Sequence, residues 1–413
     1  MAKLQPVRGT RDLLPDEARR HHHVIDVFRD LAERYGYGQI ETPIFEFTEV
    51  FDRSLGETTD VVTKEMYTFE DRGGDSLSLR PEPTAGIARA FISGGLAQLL
   101  PLKFYAYGPM FRHERPQKGR LRQFHQLDIE VLGVPEPQAD IEVIALGAHL
   151  LETLGVRDKV TLELNTLGDT DSRVAYRHLL VDYFSDHEGL LSEDSRMRLQ
   201  RNPLRILDSK DERDRRIIEG APKMGESLNE ASREFFARVR EGLDALGLSY
   251  TVNDRLVRGF DYYTHTAFEF TTTLLGAQSA VIGGGRYDNL IEFMGGPPTA
   301  GIGWGCGIER LVMLLDEPPK PERPIAVIPV GAEGEVPALV LTQELRLAGV
   351  KAEMAFRGNL GKRMKQANKA DARAAVLVGG DELARGVVSV RDLDTGEQAE
   401  VPREAVVARL RGA

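Results

Sequence analysis

The stretch 104–131 limits the fold of this chain more than any other. It reads as two β-strands joined by a cationic loop. Side chains of a strand alternate between its two faces. In the first arm Ala106, Gly108, Met110 and Arg112 fall on one face, with Tyr105, Tyr107 and Phe111 on the other. In the second arm Phe124, Gln126, Asp128 and Glu130 share one face, and Leu127, Ile129 and Val131 share the other. A row of acid and amide side chains on a strand either meets water or lines a polar site. The loop 113–122 carries Arg115, Lys118, Arg120 and Arg122. Forked guanidinium donors match phosphate oxygens, so these residues alone leave a phosphate grip and a solvated hairpin both open.

The chain has 413 residues, enough for two or three domains with buried cores. Its 41% hydrophobic and 28% charged residues are those of a globular protein. The net charge of −11 argues against a uniformly basic nucleic-acid binder. The charge is uneven, however: from Arg323 onward there are 14 Lys and Arg against 12 Asp and Glu, and before it 39 against 52. Any polyanion must therefore meet local basic patches. Cys306 is the single cysteine, which rules out an intrachain disulfide and a four-cysteine zinc site and suits a reducing, cytoplasmic setting. The N-terminal residues have no apolar core of signal-peptide length, and no run approaches a membrane span.

Pro15, followed by Asp16 and Glu17, opens a helix whose apolar stripe is Val24, Ile25, Phe28, Leu31, Ala32 and Tyr35. His21, His22 and His23 are expected on its exposed face. Gly36 and Gly38 end the helix, and the strand after it stops at Pro43. Two prolines break the segment 79–89 before a helix for which Thr84 is the candidate N-cap. From 169 to 248 charge density rises and apolar residues step at helical spacing, which marks a helical insertion. Strand and turn character returns from 257 to 288 and at 300–307, and Ile308 begins a helix containing Glu309 and Arg310. A Pro-rich linker ends at Pro324. Strands at 325–330, 350–354 and 374–378 alternate with helices near 334–347 and 360–370, which predicts a partly parallel sheet. Lys362, Lys365 and Lys369 share one face of the second of these helices.

Neither glycine-rich piece has the spacing of a dinucleotide fingerprint, and the Walker lysine motif is absent, so bound ATP would be held by arginines on a sheet. His113, His125 and His265 show no metal-ligand spacing and are expected to be structural or to support neighbouring residues.

Phe111-Arg-x-Glu114, the basic loop and Arg122-x-Phe124 together resemble the second signature motif of class II aminoacyl-tRNA synthetases. The string Arg112-His-Glu-Arg-Pro-Gln-Lys-Gly-Arg120 with Gln123-Phe-His-Gln126, and the string Arg258-Gly-Phe-Asp-Tyr-Tyr263, resemble the histidyl-tRNA synthetases specifically. The helix from Pro15 with its following strand is similar to the first motif, a dimer interface in that family, and the segment through Arg310 is similar to the third.

This resemblance implies an α+β catalytic core over 1–168 and 249–318, an antiparallel sheet flanked by helices. It further implies a helical insertion at 169–248 that approaches the tRNA acceptor arm, a linker at 319–324, and an α/β anticodon-binding domain at 325–413. It implies ligation of L-histidine to its tRNA with ATP as substrate, in a homodimer with no membrane part. Mg²⁺ would enter on the ATP phosphates, with no metal site in the protein. Arg258 and Arg112 become the catalytic residues, and Arg112, Glu114, Arg120, Phe124 and Arg310 the ATP site. Phe124 would stack on adenine. Histidine falls to Glu82, Pro83, Thr84, Gln126, Glu130, Arg258, Tyr262 and Tyr263. Glu82 and Thr84 would meet its amino group, and Glu130 and Tyr263 its ring nitrogens. Arg115, Gln117 and Arg122 fall to the tRNA. Phe260 and Pro83 depart from the usual pattern without removing a reacting group. The alternative is a relative without activity, the regulatory subunit of ATP phosphoribosyltransferase. It lacks the C-terminal domain and tends to lose the string at 258–263. A class II synthetase for threonine or proline fails on that same string.

Overall fold

The structure, a computed structural model, describes every residue except 1–2, 56–58, 60, 208, 210, 258–261, 277–279, 317–319 and 412–413. Arg258 and Phe260, and the start of the Pro-rich linker, therefore lie outside the described residues. The chain divides into two compact units, Met1–Pro318 and Pro319–Ala413.

The first unit is built on an eight-stranded sheet. From edge to edge its strands are Gly38–Gln39, Leu102–Phe111, Gln123–Leu132, Gly301–Gly307, Ala280–Arg286, Thr264–Thr271, Thr161–Thr166 and Thr251–Val252. The six inner strands pair antiparallel, and each edge strand pairs parallel with its neighbour. The arms of the hairpin are each ten residues long, and Ala106, Gly108 and Met110 stand opposite Asp128, Gln126 and Phe124. Both polar-face alternations thus fall on the same side of the sheet.

The other side is covered by helices. Pro15–Arg34 starts with proline in its first turn and two acids that complement the helix N-terminus. Its Val24, Phe28 and Leu31 are fully buried against Leu127, Ile129 and Val131 and the helix Pro137–Thr153. Removing those three side chains from water is worth on the order of 5–9 kcal/mol before ordering entropy. His21 lies three residues before Val24 on the same stripe and is 3% exposed, so it belongs to the buried face and not the exposed one. His22 is exposed and His23 half-buried. The strand after this helix is only Gly38–Gln39. Beyond it the Thr42 carbonyl accepts from Arg80 Nη1 at 2.9 Å.

On the open side of the sheet a second cluster gathers at one end, where Phe51, Ala88, Phe91, Tyr262, Tyr263, Tyr287 and Leu290 pack together. A small sheet of Phe45–Phe47, Ser76–Leu79 and Tyr67–Glu70 stands beside it. Helices Thr170–Asp186, Glu193–Arg201 and Glu212–Ile218 carry a core of their own around Tyr176, Leu180, Phe184 and Ile206. These helices begin where Asp169, Ser192 and Asp211 each accept a backbone N–H in the first turn. The last helix of the region, Glu230–Ala245, turns Val239 and Leu243 into the core of the large sheet.

In the second unit Ala352–Met354, Ile325–Val330 and Ala374–Gly379 pair parallel, and Val387–Asp392 and Gln398–Pro402 extend the sheet antiparallel. Helices Glu335–Leu347 and Leu360–Lys369 form the crossovers between the parallel strands. The last two strands carry no clear apolar alternation, which is why the partly parallel sheet was foreseeable and its antiparallel extension was not.

Candidate functional site

The open side of the large sheet holds a cleft of about 630 Å³ lined mostly by polar side chains. Its floor is the polar face of Gln123–Leu132 together with the glycine strand Gly301–Gly307. Register explains the glycines. Gly303 lies opposite Glu130 and Gly305 opposite Asp128. A Cβ at Gly303 would collide with the Glu130 carboxylate, and one at Gly305 would sit 2.7 Å from Gln126 Nε2 and 3.0 Å from Asp128 Oδ1. Only glycine lets long polar side chains of the neighbouring strand lie flat across the floor.

At one end of the cleft the helix Thr84–Ser93 points its N-terminus at the floor. Pro83 occupies the N-cap position, and Thr84 is the first helical residue and not the cap. Glu82 does the capping, accepting from Thr84 N at 2.9 Å and Ala85 N at 2.7 Å. This frees the Thr84 hydroxyl to donate to Glu130 Oε1 at 2.6 Å. Tyr287 donates to the other oxygen of Glu130. Burial pushes the Glu130 carboxyl up to about 8, against the pull of those two hydrogen bonds. Burial likewise raises Glu82 and, well above the ordinary range, Asp128. Tyr262 and Tyr263 close this end, with ring centroids 4.5 Å apart.

The other end is cationic. Arg112 donates to Pro81 O at 2.9 Å and lies 5.2 Å from the centre of the Phe124 ring. Arg120 pairs with buried Glu114. Arg310 donates to Gly119 O at 3.2 Å and Ala280 O at 2.5 Å. Burial, and then the charges of Arg120 and Arg112, lower the Arg310 pKa, so both of those guanidiniums lie close enough to repel that of Arg310. Such an arrangement suits a polyanion. Thus the cleft gathers Glu82, Pro83, Thr84, Arg112, Glu114, Arg120, Phe124, Gln126, Tyr262, Tyr263 and Arg310 from distant segments of the chain.

Other sequence candidates lie elsewhere. Arg115 and Gln117 are exposed at the loop tip outside the cleft lining. Arg122 is tied down through its Nε to Glu114 O and its backbone N to Gly9 O. Glu130 sits behind Thr84 and Tyr287 and does not line the cleft. Sequence reasoning missed Tyr287, which follows directly on the strand Ala280–Arg286. It also passed over the wall formed by Glu163, Asn253, Glu269 and Thr271.

Behind the floor His125 donates its backbone N–H to Glu309 at 3.0 Å, and its Nδ1 lies 2.9 Å from the same carboxylate. Buried His21 meets the His125 ring edge-on at 5.6 Å. One ligand atom from each of these three falls within 4.8 Å of the others, a convergence that spacing along the chain did not reveal. Glu309 already accepts from both His125 groups, so these contacts brace Gln123–Leu132 against the helix Ile308–Leu314.

Comparison with known proteins is consistent along the chain. A family model described as histidyl-tRNA synthetase matches residues 9–171 and 189–311, and one described as anticodon binding domain matches 324–412. A histidine–tRNA ligase of Rhodospirillum rubrum is 61% identical over 97% of both chains. One of Gluconacetobacter diazotrophicus is 54% identical over 100% of this chain and 99% of its own. The crystal structure of apo histidyl-tRNA synthetase from S. aureus superposes with a TM-score of 0.84 at 33% identity, covering 100% of each chain.

Proposed function

The chain belongs to the histidyl-tRNA synthetase family, and from that premise we propose that it activates L-histidine with ATP and transfers it to the 3′ end of the cognate tRNA. A carboxylate oxygen of histidine attacks the α-phosphorus of ATP, pyrophosphate leaves, and histidyl-adenylate forms. A terminal ribose hydroxyl of the tRNA then attacks the carbonyl carbon, and AMP leaves. The observation that carries this function is the division of one cleft into an acidic, hydrogen-bonding end and an end lined by Arg112, Arg120 and Arg310. An ammonium-bearing amino acid fits the first and a triphosphate the second.

Within it, Arg112, Arg120 and Arg310 bind the phosphates, Glu114 orients Arg120, and Phe124 stacks on adenine. Glu82, Pro83, Thr84 and Gln126 surround the amino group. Glu130, Tyr262 and Tyr263 serve the imidazole, with Glu130 reached through movement of Thr84 or Tyr287. Arg258 stabilises the charge of the transition state. Mg²⁺ accompanies the ATP phosphates. Arg115, Gln117 and Arg122 meet the tRNA acceptor end, the helical insertion at 169–248 approaches the same arm, and the domain at 325–413 binds the anticodon. The enzyme works as a homodimer. Phe45, Phe47 and Phe69 stand about half exposed on one face of the small sheet, an apolar surface that a second copy would cover. Among the described residues no helix is long and apolar enough to cross a membrane, and a cytoplasmic location accords with a lone, buried cysteine.

The regulatory alternative is set aside, because relatives bearing the ligase name match over nearly the whole chain and the C-terminal unit is present. ATP–pyrophosphate exchange with each of the twenty amino acids tests the proposal. Exchange with histidine alone is expected, followed by charging of the cognate tRNA, and no exchange from folded protein would overturn it. Arg258→Ala should cost roughly a hundred- to a thousandfold in exchange rate; unchanged turnover would remove its role.

A further inference from the structure

Three carboxylates are buried at the acidic end of the cleft, Glu82 and Asp128 in its lining and Glu130 behind it, and they are not equivalent. Glu82 has both oxygens engaged by the backbone of its helix, and Glu130 has both engaged by Thr84 and Tyr287. Asp128 differs. It lines the cleft directly, is 2% exposed, and its Oδ2 is buried without a hydrogen-bond partner among the described residues. The same is true of Oε1 of Gln126, its neighbour on the strand face. The other atoms of the two groups, Asp128 Oδ1 and Gln126 Nε2, crowd over Gly305. Two buried acceptors from neighbouring positions on one strand face, without partners among the described residues, call for a group bearing several donors.

Charge narrows the choice. Burial raises the pKa of Asp128, Glu130 and Glu82 raise it further, and Arg80 and Arg112 offset only part of this. A cation beside Asp128 favours its ionised form. A primary ammonium is both a cation and a three-donor group.

Resting on the amino-acid activation proposed above, we infer that Asp128 is a further substrate-binding residue. Together with Gln126 it receives the α-ammonium of the amino acid and supplies its counter-charge. Glu130, set deeper, is left to the side chain of the substrate.

Asp128→Asn tests this, since it keeps volume and removes the charge. The readouts are the KM for histidine and for ATP in pyrophosphate exchange, and the Ki of imidazolepropionate, which is histidine without its amino group. The histidine KM should rise roughly ten- to a hundredfold, the size of a hydrogen bond to a charged group, while the ATP KM and the Ki hold. Discrimination between histidine and the des-amino analogue then falls by the same factor. Asp128→Ser, which shortens the side chain, should behave alike. An unchanged histidine KM in either folded variant overturns the assignment, as does a Ki that rises in step with the KM. Loss of folding in both variants would make Asp128 structural and equally overturn it. Absence of exchange by the wild-type chain with every amino acid is a different failure, because it removes the activation reaction and the ammonium assignment with it.

Discussion

The buried carboxyl of Glu130 makes the stability of the first unit depend on pH in a definite direction. Its folded pKa is about 8, against 4.5 for the free side chain. Below pH 4.5 both states hold the proton and the full contribution to stability is present. As pH rises the unfolded chain loses its proton first, so stability falls until the folded group also titrates at about 8. Between pH 6 and pH 8 the loss comes to roughly 2 kcal/mol, steepest at first and flattening as the folded group titrates. Glu130→Gln cannot ionise and lacks this dependence. Glu82 and Asp128 titrate in both proteins, so the quantity to follow is the difference between wild type and variant. Trp304 is the only tryptophan, is 2% exposed, and lies between Gly303 and Gly305 in the floor strand, so its fluorescence reports unfolding of this unit. Urea unfolding at pH 6, 7 and 8 should show the variant gaining roughly 2 kcal/mol on the wild type across the range. Parallel pH profiles would refute the claim that this carboxyl is held protonated in the fold.

Other perturbations have equally direct outcomes. Arg286 and Asp140 form a fully buried ion pair, in which burial disfavours the charge but the carboxylate holds the Arg286 guanidinium above its ordinary range. Arg286→Met should therefore destabilise by about 3–5 kcal/mol in the Trp304 transition. Asp214 accepts from the backbone of Ser192 and the hydroxyls of Ser192, Ser195 and Ser209. Asp214→Ala should loosen the helices around it, read as faster proteolysis between 190 and 220. Gly303→Ala drives a methyl into the Glu130 carboxylate and should raise the histidine KM at least tenfold, while a well-folded variant with an unchanged KM would disprove the close approach. Charging of tRNA should weaken steeply with salt while pyrophosphate exchange does not, because counterion release follows the polyanion; equal salt dependence would argue against phosphate contacts by the basic loop.

What the sequence by itself determined was local and periodic. The alternation in Gln123–Leu132 separated a buried face from a site face correctly, because period two is a property of the strand alone. The stripe of the first helix was equally legible, and it already contained His21, whose misplacement came from reading three histidines as a group rather than by their spacing. The family motifs marked which segments would meet, and most of their residues do share one cleft. Tertiary structure alone decided how each side chain is used there. That Glu82 rather than Thr84 caps the helix follows from where the loop before it lies. That Glu130 is sealed while Asp128 keeps a bare oxygen depends on Thr84, Tyr287 and Gly305, which are 46, 157 and 177 residues from those carboxylates in the chain. A hydrogen bond is satisfied or left open by whatever the fold brings within about 3 Å, and no local pattern in a sequence encodes that distance.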